Sequence, residues 1–114
     1  MKNYPTHFNE LQEHMKKLGK EIPETMGAFE KLHKSGVAEG SLSTKIKELI
    51  SLGIAVTVRC DGCIAFHVHG AIGAGATKDE IMETIGVAVL MGGGPSVMYG
   101  CEALAAFEQF QETK

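Results

Sequence analysis

Two cysteines and a histidine near the middle of the chain have the residue types and the spacing for redox chemistry. Cys60 and Cys63 are three residues apart, His67 follows four residues later, and Glu48 stands twelve residues before Cys60. On a helix that turns about 100° per residue, the two cysteines and the histidine would lie within an arc of about 60°. Two thiols on one stripe can form a disulfide, and an imidazole beside them can move a proton. The pattern therefore indicates either a redox centre or a metal site.

Each of these residues also has a purely structural interpretation. A helix that begins at Asp61-Gly62, together with a nearby base, would favour a reactive thiolate, whereas two cysteines adjacent by chance would simply be buried. His67 is either the acceptor of the thiol proton or a hydrogen-bonded core histidine. Glu48 is either a solvent-facing residue or a buried carboxylate that takes part in proton transfer. Spacing alone leaves these alternatives open.

Composition restricts the classes of function. The 114 residues are 44% hydrophobic and 22% charged, which is ordinary for a globular protein, and their number fits one domain over residues 1–114. The net charge is −3 and the lysines are scattered, so no basic stripe could neutralise nucleic-acid phosphates. No apolar run resembles a secretory signal or could span a bilayer. Three cysteines make no even-numbered framework, which fits a reducing compartment. We therefore expect a cytoplasmic protein that binds neither nucleic acid nor membrane.

Apolar residues recur at helical spacing through most of the chain, and no strand signal is present, so the sequence predicts a compact all-α domain of about six helices. Their expected ranges are about 5–18, 23–35, 44–58, 60–72, 78–91 and 95–111. Gly19-Lys20 is expected to end the first helix, and Ser43 to cap the third. Thr77 and Glu80 predict a capping box for the fifth helix, and Pro95 fits the first turn of the last.

The last two predicted helices are apolar on most of their sides. Ile85 to Met91 leaves little polar surface, and the same is true from Val97 to Phe107. A helix that is apolar on most sides must be buried on most sides, and a domain of this size has few other helices to cover it. We therefore expect a homo-oligomer.

The remaining cysteine and histidines are expected to lie outside the site. Cys101 stands alone in an alanine-rich segment and is expected to be a small packing residue. His69 would point nearly opposite to the cysteine stripe. Three further histidines fall on amphipathic segments and are expected at the surface, namely His7, His14 and His33.

With these residues identified, the chain resembles the carboxymuconolactone decarboxylase superfamily, in its AhpD-like alkylhydroperoxidase branch. The pattern Glu-x11-Cys-x2-Cys-x3-His, formed by Glu48, Cys60, Cys63 and His67, agrees in order and spacing. The resemblance covers roughly residues 24–110. It implies an all-helical fold that assembles into trimers or, in short single-domain members, hexamers.

The resemblance also implies a thiol peroxidase with an antioxidant role. By position, Cys63 would attack the hydroperoxide substrate, Cys60 would resolve the product, and His67 and Glu48 would form the proton relay, with a bound water. A dithiol reductant protein, such as a lipoylated one, would regenerate the thiols, and no cofactor or metal is implied. Decarboxylase members generally lack the cysteine pair, so lactone decarboxylation is not expected.

Two alternative functions use the same residues. The best-known AhpD proteins carry a histidine between their cysteines, where this chain has Gly62, and this difference favours a general disulfide reductase or a redox sensor. The other alternative is a zinc-binding module, with Cys60, Cys63 and His67 as ligands and Glu48 or water as the fourth.

Overall fold

The computed structural model describes residues 1–112, which form six α-helices and no strand. The helices are α1 (Tyr4–Glu21), α2 (Pro23–Val37), α3 (Thr44–Thr57), α4 (Asp61–Gly73), α5 (Lys78–Gly92) and α6 (Gly94–Glu112). The all-α prediction is therefore confirmed. Within these residues, no helix is both long enough and apolar enough to cross a membrane.

The core lies among the four C-terminal helices. Helix α3 packs against α4 and α5, and α6 closes the bundle against both of them. The largest fully buried aliphatic side chains come from these helices: Leu52, Val56, Ile64, Val68 and Ile81. Helix α1 contributes only Tyr4 and Phe8 to the buried set, and α2 contributes no buried residue. The first two helices therefore flank the core and do not form it.

Tyr4 attaches the start of α1 to α6. Its ring is fully buried, its hydroxyl donates to Glu102 Oε1 at 2.6 Å, and its backbone N–H donates to Gln109 Oε1 at 2.6 Å. Burial, reinforced by the Glu102 carboxylate, raises the pKa of Tyr4 well above its usual range, so the phenol stays protonated. These two hydrogen bonds hold the N-terminal end of α1 against α6.

The predicted end of α1 at Gly19-Lys20 is wrong, because the helix continues through both residues to Glu21. One glycine inside a helix costs only about 1 kcal/mol relative to alanine, which packing can offset. The helix ends instead at Ile22, which has φ −131° and ψ 67°. Ile22 precedes Pro23, and the proline ring disfavours the helical conformation in the residue before it.

The other boundary signals are confirmed. Ser43 accepts the N–H of Ile46, and Thr77 and Glu80 form the complete capping box of α5. The backbone N–H of Thr77, followed by Lys45, holds the pKa of Glu80 below its ordinary value. Between α5 and α6 the break is confined to Gly93, whose φ of 69° is in the left-handed region that favours glycine.

Several apolar side chains of α3, α5 and α6 are exposed in the single chain. Leu90 is 81% exposed, and Met91 and Met98 are also largely uncovered. On α3, Ile46, Ile50 and Ile54 recur every four residues and form a second exposed stripe. The expectation that the last two helices are buried on most sides is therefore not met within one chain.

The capping box provides a test of the fold. We expect Thr77→Ala to lower the free energy of unfolding by about 1 kcal/mol, because the N–H of Glu80 loses its acceptor. Urea denaturation measures this change. Thr6→Ala, at an exposed position of α1, is the matched control and should change stability by less than about 0.5 kcal/mol. Equal effects of the two substitutions would contradict the role assigned to the box.

Candidate active site

A disulfide joins Cys60 and Cys63 at the start of α4, with their Cα atoms 5.2 Å apart. Cys60 is the N-cap residue, and its backbone is extended, so it lies just before the helix and not on the helical stripe that the spacing predicted. Its Sγ atom accepts the N–H of Cys63 at 3.1 Å. Both sulfurs thus lie at the positive end of the helix dipole, where a thiolate is stabilised.

A tight turn after α3 sets the position of Cys60. The N–H of Cys60 donates to Ala55 O at 3.1 Å, and the N–H of Arg59 donates to Val56 O at 3.2 Å. This is the Schellman pattern, and it requires a left-handed residue between the helix end and Cys60. Arg59 fills that position with φ 60° and is the one non-glycine residue of positive φ among residues 1–112.

Glu48 and His67 form a buried pair behind the cysteines. Glu48 of α3 is only 5% exposed, and its Oε1 atom is 3.2 Å from Nδ1 of His67 on α4. The solvent-facing alternative for Glu48 is therefore excluded. Because the carboxylate pairs with Nδ1, the other ring nitrogen of His67 remains available to exchange a proton with a different group.

Gly70 provides the space for the Glu48 carboxylate. A Cβ atom at position 70 would overlap Glu48 Oε2 and would lie 2.7 Å from the carboxylate carbon. The residue stands three positions after His67 on α4, so the same turn of helix holds the imidazole and leaves room for its partner. Sequence reasoning missed this role, although a glycine in mid-helix close to a site histidine was the available signal.

A cavity of about 790 Å³ opens between α1, α2 and α4, and the cysteine pair lies in its wall. Its lining residues recur at spacings of three and four along each helix, so each helix turns one face toward the cavity. They include Cys63, Phe66 and His67 from α4, Leu11, Met15 and Lys16 from α1, and Met26, Phe29, Glu30 and His33 from α2. Leu11 and Met15 of α1 therefore line this cavity and do not belong to the buried core.

Gly62 allows α1 to approach the start of α4. A Cβ atom at this position would lie 3.2 Å from Leu11 Cδ1, which is tighter than ordinary contact. A side chain between the two cysteines would therefore require the end of the Leu11 side chain to shift by a few tenths of an ångström. The close approach of α1 gives a structural reason for glycine at this position.

Asp61, the first residue of α4, attaches the N-terminal segment to the site. Lys2 Nζ bonds to Asp61 Oδ2, and His7 Nε2 is 3.7 Å from Asp61 Oδ1. The hydrogen bond from Lys2 holds the pKa of Asp61 below its usual value. His7 is half-buried and faces this carboxylate, so the expectation that it is a plain surface residue is wrong.

The prediction for Cys101 needs correction, because this cysteine is exposed and free and is not a packing residue. His33 is exposed at the surface, as expected, and it also lines the cavity, with its ring centroid 6.1 Å from that of His67. His69 stacks on Phe8 with centroids 4.3 Å apart and does not line the cavity, and His14 is exposed on α1, as expected.

In the disulfide form, the donor atoms of this site are not arranged as a metal centre. Over residues 1–112, no group of three or more histidine, cysteine, aspartate or glutamate side chains is arranged to hold a metal ion. The two sulfurs are bonded to each other, and Nδ1 of His67 is paired with Glu48. The arrangement is therefore suited to dithiol chemistry.

The fold and the site together define a six-helix protein with a cysteine pair at a helix N-terminus and a glutamate–histidine pair behind it. The sequence matches the carboxymuconolactone decarboxylase family over residues 23–106, and the chain belongs to this family. The match spans the cavity-lining residues of α2 and α4 and ends within α6. Family membership therefore covers the candidate site.

Known proteins similar to this chain agree with that assignment. An uncharacterized protein of Cupriavidus necator is 37% identical over 103 residues, which cover 90% of this chain and 91% of that protein. The structure of a carboxymuconolactone decarboxylase family protein from Legionella pneumophila has a TM-score of 0.91 and 43% identity, covering 94% of this chain and 96% of its own. A family protein from Thermotoga maritima has a TM-score of 0.73 and 29% identity, covering 78% of this chain and 92% of that protein's chain. A role in the antioxidative response has been suggested for that protein.

Two glycine substitutions with opposite expected effects on the free energy of unfolding test the role of Gly70. We expect Gly70→Ala to lower the free energy of unfolding by about 1–3 kcal/mol, because the added methyl displaces the buried Glu48 carboxylate. Gly86→Ala, in α5 where a Cβ meets nothing within 4 Å, should raise it by up to about 1 kcal/mol. Denaturant titration of both variants measures these changes.

A second substitution identifies the cause of the expected loss. Shortening the carboxylate in the double variant Gly70→Ala/Glu48→Asp should recover part of the stability, because the aspartate leaves room for the methyl group. Stabilisation by Gly70→Ala equal to that of Gly86→Ala would show that position 70 does not hold the carboxylate.

Proposed function

We propose that this chain is a thiol-dependent peroxidase of the alkylhydroperoxidase type, which reduces hydroperoxides through a dithiol–disulfide cycle of Cys60 and Cys63. The observation that carries the proposal is the disulfide between these two residues, which lies in the wall of the cavity that His67 also lines. Membership of the carboxymuconolactone decarboxylase family and the antioxidative role suggested for the Thermotoga maritima protein support it.

In the oxidative half of the cycle, the thiolate of Cys63 attacks the distal oxygen of the hydroperoxide. The O–O bond breaks, the distal OH is transferred to sulfur as a sulfenic acid, and the alkoxide leaves and takes up a proton to become an alcohol. The thiol of Cys60 then attacks the Cys63 sulfur, which forms the disulfide and releases water. One hydroperoxide and two thiols thus yield one alcohol, one water and one disulfide.

In this cycle His67 accepts the thiol proton, and Glu48 orients and stabilises His67. His67 follows Cys63 by one helical turn, so the imidazole and the thiol are neighbours on α4. With Nδ1 held by the Glu48 carboxylate, Nε2 accepts the thiol proton, directly or through a water molecule. The carboxylate also stabilises the imidazolium that this transfer creates. The pair therefore acts as the proton relay of the cycle.

In the reductive half, a dithiol protein regenerates the enzyme. A thiolate of the donor attacks the Cys63 sulfur, Cys60 leaves as a thiolate, and the second donor thiol resolves the mixed disulfide. The N–H of Cys63, which bonds Cys60 Sγ at 3.1 Å, stabilises this leaving thiolate. The cycle uses no cofactor, and its need for a reductant favours a reducing compartment such as the cytoplasm.

We further propose that the protein works as a homo-oligomer, a trimer or a hexamer. The exposed apolar residues of α3, α5 and α6 support this, since a surface of that kind on a folded chain is usually covered by a partner. Leu90, at 81% exposure, is the most uncovered of the large apolar side chains.

Single-cysteine variants test the peroxidase cycle. We expect Cys63→Ser to abolish cumene hydroperoxide consumption and Cys60→Ser to stop after one equivalent, with a sulfenic acid on Cys63 that dimedone and mass spectrometry detect. Cys101→Ser, which removes the exposed free cysteine, should retain full turnover. Equal steady-state consumption by the wild type and both site variants would refute the cycle.

The same assay separates the peroxidase from the disulfide reductase. Reduced wild-type protein that consumed a model aromatic disulfide rapidly, but left cumene hydroperoxide unchanged, would favour the reductase or redox sensor with the same cysteines. Faster reaction with the hydroperoxide is the outcome that the proposal requires.

Light scattering tests the proposed assembly. We expect the wild-type protein to have three or six times the mass of one chain, and Leu90→Lys to shift it toward smaller species by placing a charge on the apolar surface. Gln111→Lys, at an exposed position near the end of α6, adds the same charge outside that surface and should leave the mass unchanged. A monomeric wild-type protein would contradict the assembly and leave the redox cycle standing.

A further inference from the structure

Helix α2 differs from the other five because it has no buried residue, yet one of its faces is turned toward the cysteine cavity. Met26, Phe29, Glu30 and His33 recur at spacings of three, one and three, and all four line the cavity. These spacings place them on one stripe of the helix. The face of α2 that would normally pack into a core therefore forms a wall of the candidate active site.

His33 is the imidazole of that wall, and it stands close to His67 on the wall formed by α4. The two ring centroids are 6.1 Å apart, with an angle of 39° between the ring planes. Both residues line the cavity together with Cys60 and Cys63. Within residues 1–112, His33 makes no hydrogen bond or ion pair, so both of its ring nitrogens are available to a bound molecule.

Reduction of a hydroperoxide requires two proton transfers at different places. The thiol of Cys63 must lose a proton before the attack, and the departing alkoxide must gain one. Because the sulfur attacks the O–O bond in line, the leaving oxygen lies beyond the transferred oxygen, on the side away from Cys63. His67 neighbours the sulfur, whereas His33 belongs to a different wall of the same cavity.

We propose that His33 is a second proton-transfer residue of this site, the general acid for the leaving oxygen. As the Cys63 thiolate bonds to the distal oxygen and the O–O bond breaks, an N–H proton of the His33 imidazolium passes to the alkoxide and gives the alcohol. Neutral His33 then regains a proton from solvent, to which it is exposed. The proposal rests on the peroxidase function proposed above.

Titratable groups from each neighbouring helix lie in this cavity or next to its wall. Lys16 on α1, Glu30 on α2 and His67 on α4 line the same cavity, and Glu48 of α3 stands behind His67. Glu30 is also within 3.3 Å of Lys34, one turn further along α2. On α3, Lys47 donates to the Ala38 carbonyl oxygen just after α2 ends. An imidazole can donate a proton from one ring nitrogen and accept one again, so His33 has the chemistry to serve in each cycle.

The experiment compares two oxidants whose leaving groups differ in basicity. Cumene hydroperoxide releases a strongly basic alkoxide that needs a proton, whereas peracetic acid releases acetate, which leaves without one. We expect His33→Gln to slow single-turnover oxidation of the reduced protein by cumene hydroperoxide about 100-fold, the lower end of what general acid catalysis contributes. Its rate with peracetic acid should stay within about twofold of wild type.

Controls distinguish proton transfer from a structural effect. His14→Gln, at an exposed position of α1 outside the cavity, should behave as wild type with both oxidants. The rate of Cys63 alkylation by iodoacetamide should be the same in the wild type and in His33→Gln, since His33 does not activate the thiol.

The outcomes distinguish a failure of the role proposed for His33 from a failure of the peroxidase function. Equal slowing of His33→Gln with both oxidants, or no slowing with either, would overturn the role of His33 while leaving the peroxidase standing. A wild-type protein that reacts with neither oxidant would overturn the peroxidase, and the role of His33 with it.

Discussion

The contact between Glu48 and His67 is the interaction on which the site depends. A carboxylate that is 5% exposed costs several kcal/mol in lost hydration unless a partner compensates for it, and its partner is an imidazole on the next helix. Gly70 is the position that makes the contact sterically possible. The pair therefore fixes α4 against α3 in one register. Because Cys63 precedes His67 by one turn, the same register determines where the cysteine pair meets the cavity.

The short connection between α3 and α4 shows how the backbone contributes to this arrangement. Both α3 and α4 end in a Schellman turn, but Gly75 occupies the left-handed position after α4 and Arg59 occupies it after α3. A side chain in that conformation costs roughly 1–2 kcal/mol, which glycine avoids. The turn at Arg59 places Cys60 as the cap of α4, so its sulfur receives the N–H of Cys63. Arg59 therefore carries the local backbone strain and also sets the position of the Cys60 sulfur.

The sequence predicted the six helices and most of their boundaries, and the reasons are local. Ser43, Thr77 and Glu80 cap helices with their own side chains, so short-range patterns were sufficient for those boundaries. The predicted end of α1 was wrong because the helix tolerates Gly19 in its interior and stops only where Pro23 restricts the backbone of Ile22.

The burial of Glu48 could not be predicted from its neighbours, because α3 is apolar on more than one side and the compensating groups lie on another helix. Gly70 and His67 come nineteen and more residues later in the chain, so only packing of α3 on α4 brings them to the carboxylate. The place of His33 at the cavity could not be predicted for the same reason. Helix α2 is amphipathic, and only the packing of three helices shows that the face with His33 lines a cavity and not a core.

The two sides of the cavity differ in how firmly they are held. The wall formed by α4 belongs to the core, where Ile64, Ala65 and Val68 are fully buried. The wall formed by α2 has no buried residue, and a helix of 15 residues with few tertiary contacts has little stability of its own. The cysteine pair and the Glu48–His67 pair thus lie on the rigid side, whereas His33 and the apolar residues that would meet a substrate lie on the compliant side. For the peroxidase proposed above, we expect this division to let the cavity adapt to substrates of different shape while the Glu48–His67 contact stays in place.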